Sequence, residues 1–391
     1  MLNRRYLRIK TMQVLYGYEQ TCKAQFEIAL DQITARLTPE WDEDPKTPET
    51  LEKEIEIGHQ LFEQFYLQDH IETPPNTPTN VLREVQAVII DYHNQIQKEK
   101  RSFEKYLQKQ TEDIADMYLR CLLFLPTLAQ TIRQERELYA QKHLRTPIHE
   151  GEFKFEQNQV AKCLQKHDLL NEQATRRHIL WETNQEWVRD FYKKVIKQDT
   201  VYQQYIQTQQ NDWENDKELA LYLLKEYLLK HDEARNFLEN FDMNWLENRK
   251  IVLDMVSKTI QNIPNAQSYH FGLMSLSKNW EDDEQFYHDL FKIYLQKAAL
   301  YEELIDKKTK NWELERIALL DNILLKMAVV EMTNFPSIPV KVTINEYLDL
   351  AKGYSSPKSN KFINGVLDAM AQELTEKGEI KKSARGMMDN K

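Results

Sequence analysis

Arg4, Arg5, Arg8 and Lys10 stand close together in a stretch, residues 1–18, that holds no acidic residue. Arg4, Arg5 and Arg8 can share one side of a helix, because residues three and four apart are neighbours on its surface. Cations so placed could neutralise phosphates and release counterions, the electrostatic basis of nucleic-acid binding. A run of charge is equally at home as a solvated face, and from the residues alone both readings stand. Leu7, Thr11, Val14, Leu15 and Tyr18 form an apolar stripe behind the cations, so the stretch reads as an amphipathic helix with one basic end. Its arginines are expected on the polar side, with no part in the core.

No catalytic constellation accompanies them. The ten histidines include no His-Glu-x-x-His and join no cysteine at metal spacing. A nucleophile elbow is missing, as is any phosphate-cradling loop in a chain with 8 glycines. The acidic run at residues 281–284 (EDDE) could attract a divalent ion, but acids also favour a helix start, and the spacing is not that of an EF-hand. Cys22, Cys121 and Cys163 are isolated, with no C-x-x-C pair. The expectation is no enzyme, no catalytic residue, no metal site and no cofactor, in a reduced, cytoplasmic setting. No apolar run approaches the length of a membrane span, and no apolar core of a signal peptide follows the arginines.

The elements that must position these residues are helices. Over 391 residues, 8 glycines and 12 prolines are few, and apolar residues recur at helical spacing, so the class is all-α. The formal net charge of −10 argues against a general nucleic-acid coat and makes any RNA binding a matter of local patches. Proline-rich breaks at residues 38–50 and 72–80 bracket a helix over about 50–69. Val85, Ile89, Tyr92, Ile96, Phe103 and Tyr106 predict a long helix or a helical hairpin over 81–137, which Pro126 should kink or split. After a loop at 145–152, helices are expected over 158–166, 171–209, 216–229, 232–241 and 244–261. Trp181, Trp187, Trp213 and Trp245 are read as core, and Lys193, Lys194 and Lys197 as a solvated face. A further helix spans 282–308.

The stretch from 311 to 373 organises the chain. Ile317, Leu320, Ile323, Leu324, Met327, Ala328 and Val330 wrap most of a helix over about 313–332, which makes it a post buried on nearly all sides. Helices over 343–352 and 357–374 follow. Asn345, Asn364 and Gly365 are read as caps, inter-helix hydrogen bonds and close packing. The blocks ERIALLDNILLKMAVVEM, IPVKVTINEYLDLAK and SNKFINGVLDAMA occur in order here. They resemble the C-terminal half of the NusB family of bacterial transcription antitermination factors. The first twenty residues, with RR-x-x-R and then Q-x-L-Y, are more weakly similar to that family's first helix.

The resemblance implies a NusB-like helical bundle with an elaborated helical N-terminal and middle region. Expected boundaries are 1–30 for the first helix, 31–280 for a helical insertion or an elaborated N-terminal subdomain, 281–376 for the C-terminal subdomain and 377–391 for a basic flexible tail. It implies binding of boxA-type single-stranded RNA with a NusE-type small-subunit ribosomal protein, in an RNA polymerase antitermination complex acting in ribosomal RNA operons. Carried over onto this sequence, the RNA-binding residues would be Arg4, Arg5, Arg8, Lys10, Tyr16 and Asp321. The partner-binding residues would be Glu331, Glu346 and Lys352. Relatives fused to ribosomal RNA methyltransferases need a Gly-bearing, strand-rich domain, which this chain lacks. The alternative from another class is a helical protein-interaction scaffold without specific RNA binding.

Overall fold

The computed structural model describes residues 3–39, 47–68, 77–141, 150–208, 212–309 and 317–387. Much of the three expected proline-bearing loops, the first residues of the expected post and the last of the tail lie outside them. In chain order the helices are α1 (Arg4–Leu37), α2 (Pro48–Phe65), α3 (Thr79–Gln141), α4 (Gln159–Gln165), α5 (Asp168–Arg176), α6 (Gln185–Lys194), α7 (Thr200–Gln207) and α8 (Trp213–Tyr222). They continue with α9 (Asp232–Glu239), α10 (Trp245–Gln261), α11 (Trp280–Thr309), α12 (Leu319–Asn334), α13 (Val340–Tyr354), α14 (Ser359–Glu376) and the short α15 (Ala384–Met387). No strand occurs among the described residues, and the fold is all-α.

The chain forms two compact units: a terminal unit of residues 5–108 and 284–391, and a central unit of residues 1–4 and 109–283. Residues 31–108 thus fall in one unit with the first helix, whereas 109–283 form the central unit. The reason is a shared core. Ala29, Ile33 and Leu37 of α1 pack with Leu61, Phe62 and Phe65 of α2 and with Val81, Val85, Val88 and Ile89 of α3. Helix α2 must approach α1 closely, for a Cβ added at Gly58 would meet Ile33 Cγ2 at 2.8 Å.

Helix α3 runs unbroken through Pro126, the long helix of the two forms expected, with no split at the proline. The ring removes a single backbone hydrogen bond, at a cost of about 3 kcal/mol. Leu122, Phe124, Leu125 and Leu128 around it are all buried, and burying each large apolar side chain returns roughly 1.5–3 kcal/mol. In the central unit the reverse correction applies: the single helix expected over 171–209 is three, α5, α6 and α7. His178 takes a left-handed backbone (φ 54°) after α5. Asp199 caps α7 by accepting from the Tyr202 N–H at 2.8 Å. Both are local hydrogen-bonding and conformational signals that compete with helix continuation.

The tryptophans sort by depth. Trp181 and Trp245 are buried, whereas Trp187 and Trp213 are half-buried. Trp187 stacks on Phe237 with ring centroids 3.9 Å apart. Lys193 pairs with Glu135 at 2.7 Å and Lys194 with Asp190 at 2.7 Å, so much of that basic face is neutralised.

In the terminal unit, α12 is buried around its whole circumference from Ile323 to Met332, the post that the apolar pattern requires, with α13 and α14 packed on it. Asn345 and Asn364 neither cap nor bridge helices. Asn345 is exposed within α13, and Asn364 donates to Asp368 of its own helix at 3.0 Å.

The expected loose tail also needs correction as far as residue 387. Lys382 Nζ donates to the Phe335 carbonyl and the Ser383 N–H to the Pro336 carbonyl, both at 3.0 Å. A Cβ at Gly386 would lie 2.3 Å from the same Pro336 oxygen. Burial pushes Lys382 down to about 8 from its ordinary 10.5, against the opposing pull of Glu331. A released lysine would hold its proton up to 10.5, so the undocked state binds more protons in between. Docking should therefore strengthen as pH rises from about 8 to 10.5 and be weakest below 8. Limited proteolysis across residues 378–387 should slow over that window, and a Lys382→Met variant should lose the dependence.

Candidate nucleic-acid interface

The first turns of α1 are buried on most sides: Leu7, Arg8, Lys10, Thr11, Met12, Val14 and Leu15 are all inaccessible. Position 10 lies one turn from Leu7 and from Val14, and position 8 one turn from Thr11 and Met12 and two from Leu15, so both side chains point into the packed faces. This corrects the sequence reading, in which the basic residues lay on an open polar side.

Arg8 is 3% exposed and its partner Glu331, on α12, 0%. Arg8 Nε and Nη2 donate to the two carboxylate oxygens of Glu331, each at 2.7 Å, a bidentate fork. Thr343 Oγ1 adds a bond at 2.8 Å and the Tyr347 hydroxyl one at 3.3 Å, both to Glu331. The Arg8 guanidinium also lies 5.3 Å from the Phe286 ring centre. Burial works against the Arg8 charge, but the attraction of Glu331 and its hydrogen bonds outweigh burial and hold Arg8 above the ordinary arginine range. Burial, then the Glu331 charge, pushes Tyr347 well above its usual value. A carboxylate so enclosed cannot meet a protein partner. Glu331 is a structural anchor that ties α1 and α13 to the post, and its expected place on a docking face is corrected.

Arg5 lies on the outside. Its side chain is 45% exposed and donates to Glu346 at 2.9 Å and to Asp349 at 2.9 Å, both on α13. Glu346 also reaches Arg8 Nη1 at 3.3 Å. Arg4, in the central unit, pairs with Asp283 at 3.2 Å. Lys10 is fully buried. Tyr16 is 42% exposed, with Gln20 Nε2 donating to its hydroxyl at 3.3 Å. Asp321, which the sequence left between an RNA contact and a surface ion pair, is buried and accepts from the Ser355 hydroxyl. Lys352 is 63% exposed and pairs with Asp349 at 3.1 Å.

The structure thus brings Arg5, Arg8, Glu331 and Glu346 together, and turns outward only Arg5, Tyr16 and Lys352 among the expected site residues of this unit. A second charged cluster escaped the sequence reading: Lys326, buried on the post, pairs with Glu302 at 2.9 Å and with Glu19 at 3.4 Å. The one available signal was a lysine in the middle of the apolar run 323–330.

A family model described as the NusB family matches residues 246–372. That match takes in α10, before residue 281 where the sequence blocks placed the start of the C-terminal subdomain. Among curated proteins, the chain is 40% identical over 103 residues to the transcription antitermination protein NusB of Salinibacter ruber, covering 26% of this chain and 64% of that protein. It is 47% identical over 85 residues to the protein of the same name from Chloroherpeton thalassium, covering 22% and 40%. It is 34% identical over 129 residues to that of Koribacter versatilis, covering 33% and 88%. The chain thus spans less than two thirds of the length of the first two of these relatives. No solved structure matches it.

Proposed function

Because the chain belongs to the NusB family, we propose that it is a non-catalytic, RNA-binding transcription antitermination factor. In this reading it binds boxA-type single-stranded RNA jointly with a NusE-type small-subunit ribosomal protein. Within the RNA polymerase antitermination complex it promotes read-through in ribosomal RNA operons. The observation that carries the reading beyond family membership is the setting of Arg5. The buried Arg8–Glu331 pair holds the first turns of α1, and Arg5 and Tyr16 stay on its outer side. Glu346 and Asp349 already hold the Arg5 guanidinium in the fork geometry that phosphate oxygens also use. Single-stranded RNA further offers unstacked bases to an exposed tyrosine. Arg8 and Glu331 support this face from below through Glu346, and Lys352 with Glu346 offers charge to the protein partner.

The test is titration of a boxA-type RNA at several salt concentrations, with and without the ribosomal protein. Wild type should bind in a salt-dependent manner, and Arg5→Gln should lower the salt slope by about 0.7, one phosphate contact on a single strand. Lys352→Glu should weaken the ribosomal protein more than the RNA. No binding at low salt, alone or with the ribosomal protein, would overturn the reading and leave the interaction scaffold in its place.

A further inference from the structure

We propose that the α1–α3 groove of the terminal unit and the face of α3 that leads on from it are a second track for single-stranded RNA, with Lys98, Arg101 and Lys105 of α3 holding the phosphate backbone. The proposal rests on the RNA-binding reading above and extends it to residues that no family block touches.

Lys98, Arg101 and Lys105 follow one another at steps of three and four, so α3 carries them on one face. All three are exposed. They span about 10 Å along the helix. Among the described residues none of the three enters an ion pair. At the α1–α13 site Arg5 is engaged by Glu346 and Asp349, Arg8 by Glu331, and Lys352 by Asp349. In a chain of net charge −10, a row of three exposed cations outside its ion pairs offers a polyanion a local attraction.

The row is not on a flat surface. It borders a hollow of about 570 Å³ lined by Asn94, Gln97, Lys98, Arg101, Ser102 and Lys105. Asn94 and Lys98 also line a neighbouring hollow of about 420 Å³, walled on the other side by Gln25, Ile28 and Gln32 of α1. The two hollows share Asn94 and Lys98, the second lying between α1 and α3 and the first on α3 alone, so the lining passes from amides to cations along α3. The acid in the groove wall, Asp91, is occupied by Arg36 at 2.8 Å. Helices α1 and α3 are held together beside it, where a Cβ at Gly17 would lie 3.0 Å from the Phe103 ring.

The lining chooses between polyanions. Asn and Gln side chains donate and accept at once, which suits the exposed edges of unpaired bases. Tyr106, next to Lys105, is exposed and offers a ring on which a base can stack. An acidic peptide would use the cations but leave the amides without a purpose. A duplex would present its bases paired and stacked, out of reach of such a groove.

The experiment compares the full chain with a Lys98→Gln/Arg101→Gln/Lys105→Gln variant, using an unstructured uridine oligomer of about a dozen nucleotides, within the usual span of such sites. The salt slope should fall by about 2, three contacts at 0.7 each. A Lys98→Arg/Lys105→Arg variant should keep the wild-type slope. The side chains are exposed, so melting should not change; should the triple variant fail to fold, each single variant is expected to lower the slope by about 0.7 and decides the matter. An unchanged slope in the triple variant, with Arg5→Gln still lowering binding of boxA-type RNA, would overturn the track and leave the proposed function standing. Binding of neither RNA by wild type would overturn both.

Discussion

Glu331→Ala is expected to destabilise the terminal unit by about 3–5 kcal/mol, the cost of leaving a buried charge without its partner. The substitution strands the Arg8 guanidinium, 3% exposed, and removes the acceptor of the Thr343 and Tyr347 hydroxyls at the same time. Arg8→Ala should cost a similar amount, because it strands the carboxylate instead. A combined Arg4, Arg5 and Arg8 alanine variant would therefore lose RNA affinity for two reasons at once, and cannot report on phosphate contacts. The informative variant is Arg8→Met with Glu331→Leu. Replacing a whole buried pair by apolar groups of similar volume is often neutral or better, so this double variant should recover most of the lost stability. Urea midpoints of the single and double variants check this. A loss below about 1 kcal/mol in either single variant, the range of exposed pairs, would mean that the pair is open to water. If Arg8 acts only as an anchor, the double variant should also bind boxA-type RNA with the wild-type salt slope.

Phe62→Ala is expected to cost about 3–5 kcal/mol, in line with other large-to-small changes of buried aromatic side chains. Phe62 is fully buried between α1, α2 and α3. Its ring lies 5.3 Å from Phe26 of α1 and 5.6 Å from Tyr92 of α3, the second edge-on at 90°. Gly58, one turn earlier on α2, already brings α2 against Ile33, so there is little slack for neighbours to fill the space. Phe62→Leu should cost much less, since most of the volume stays. Amide hydrogen exchange along α1 and α2 should rise strongly in the alanine variant and little in the leucine one. Equal exchange in wild type and Phe62→Ala would refute the idea that this cluster joins residues 31–108 to the first helix. Because Tyr92 lines the α1–α3 groove, weaker uridine-oligomer binding should accompany the loss.

The sequence by itself determined the class, the post and the family. Helical spacing of apolar residues, scarce glycine and three blocks in order suffice for that, since these are local signals that each helix carries whatever its neighbours do. Which side of α1 faces water was decided only by the tertiary structure. An arginine eight residues from the start looks alike whether it meets solvent or an acid 323 residues away, and only packing on the post brings Glu331 to it. The same holds for Lys10, Asp321 and Glu331, which are polar by type and buried by position. Pro126 inside α3 and the breaks over 171–209 went the other way from local propensity. In the first case buried leucines on both sides outweighed one lost hydrogen bond. In the second, a left-handed residue follows the end of α5 and an aspartate N-cap starts α7, within a stretch that the apolar pattern would have run as one helix. The free row of Lys98, Arg101 and Lys105 was present in the sequence as spacing, but a cation's freedom is a statement about every acid that might have reached it. That depends on the folded arrangement, because ion pairing follows distance in space rather than separation along the chain.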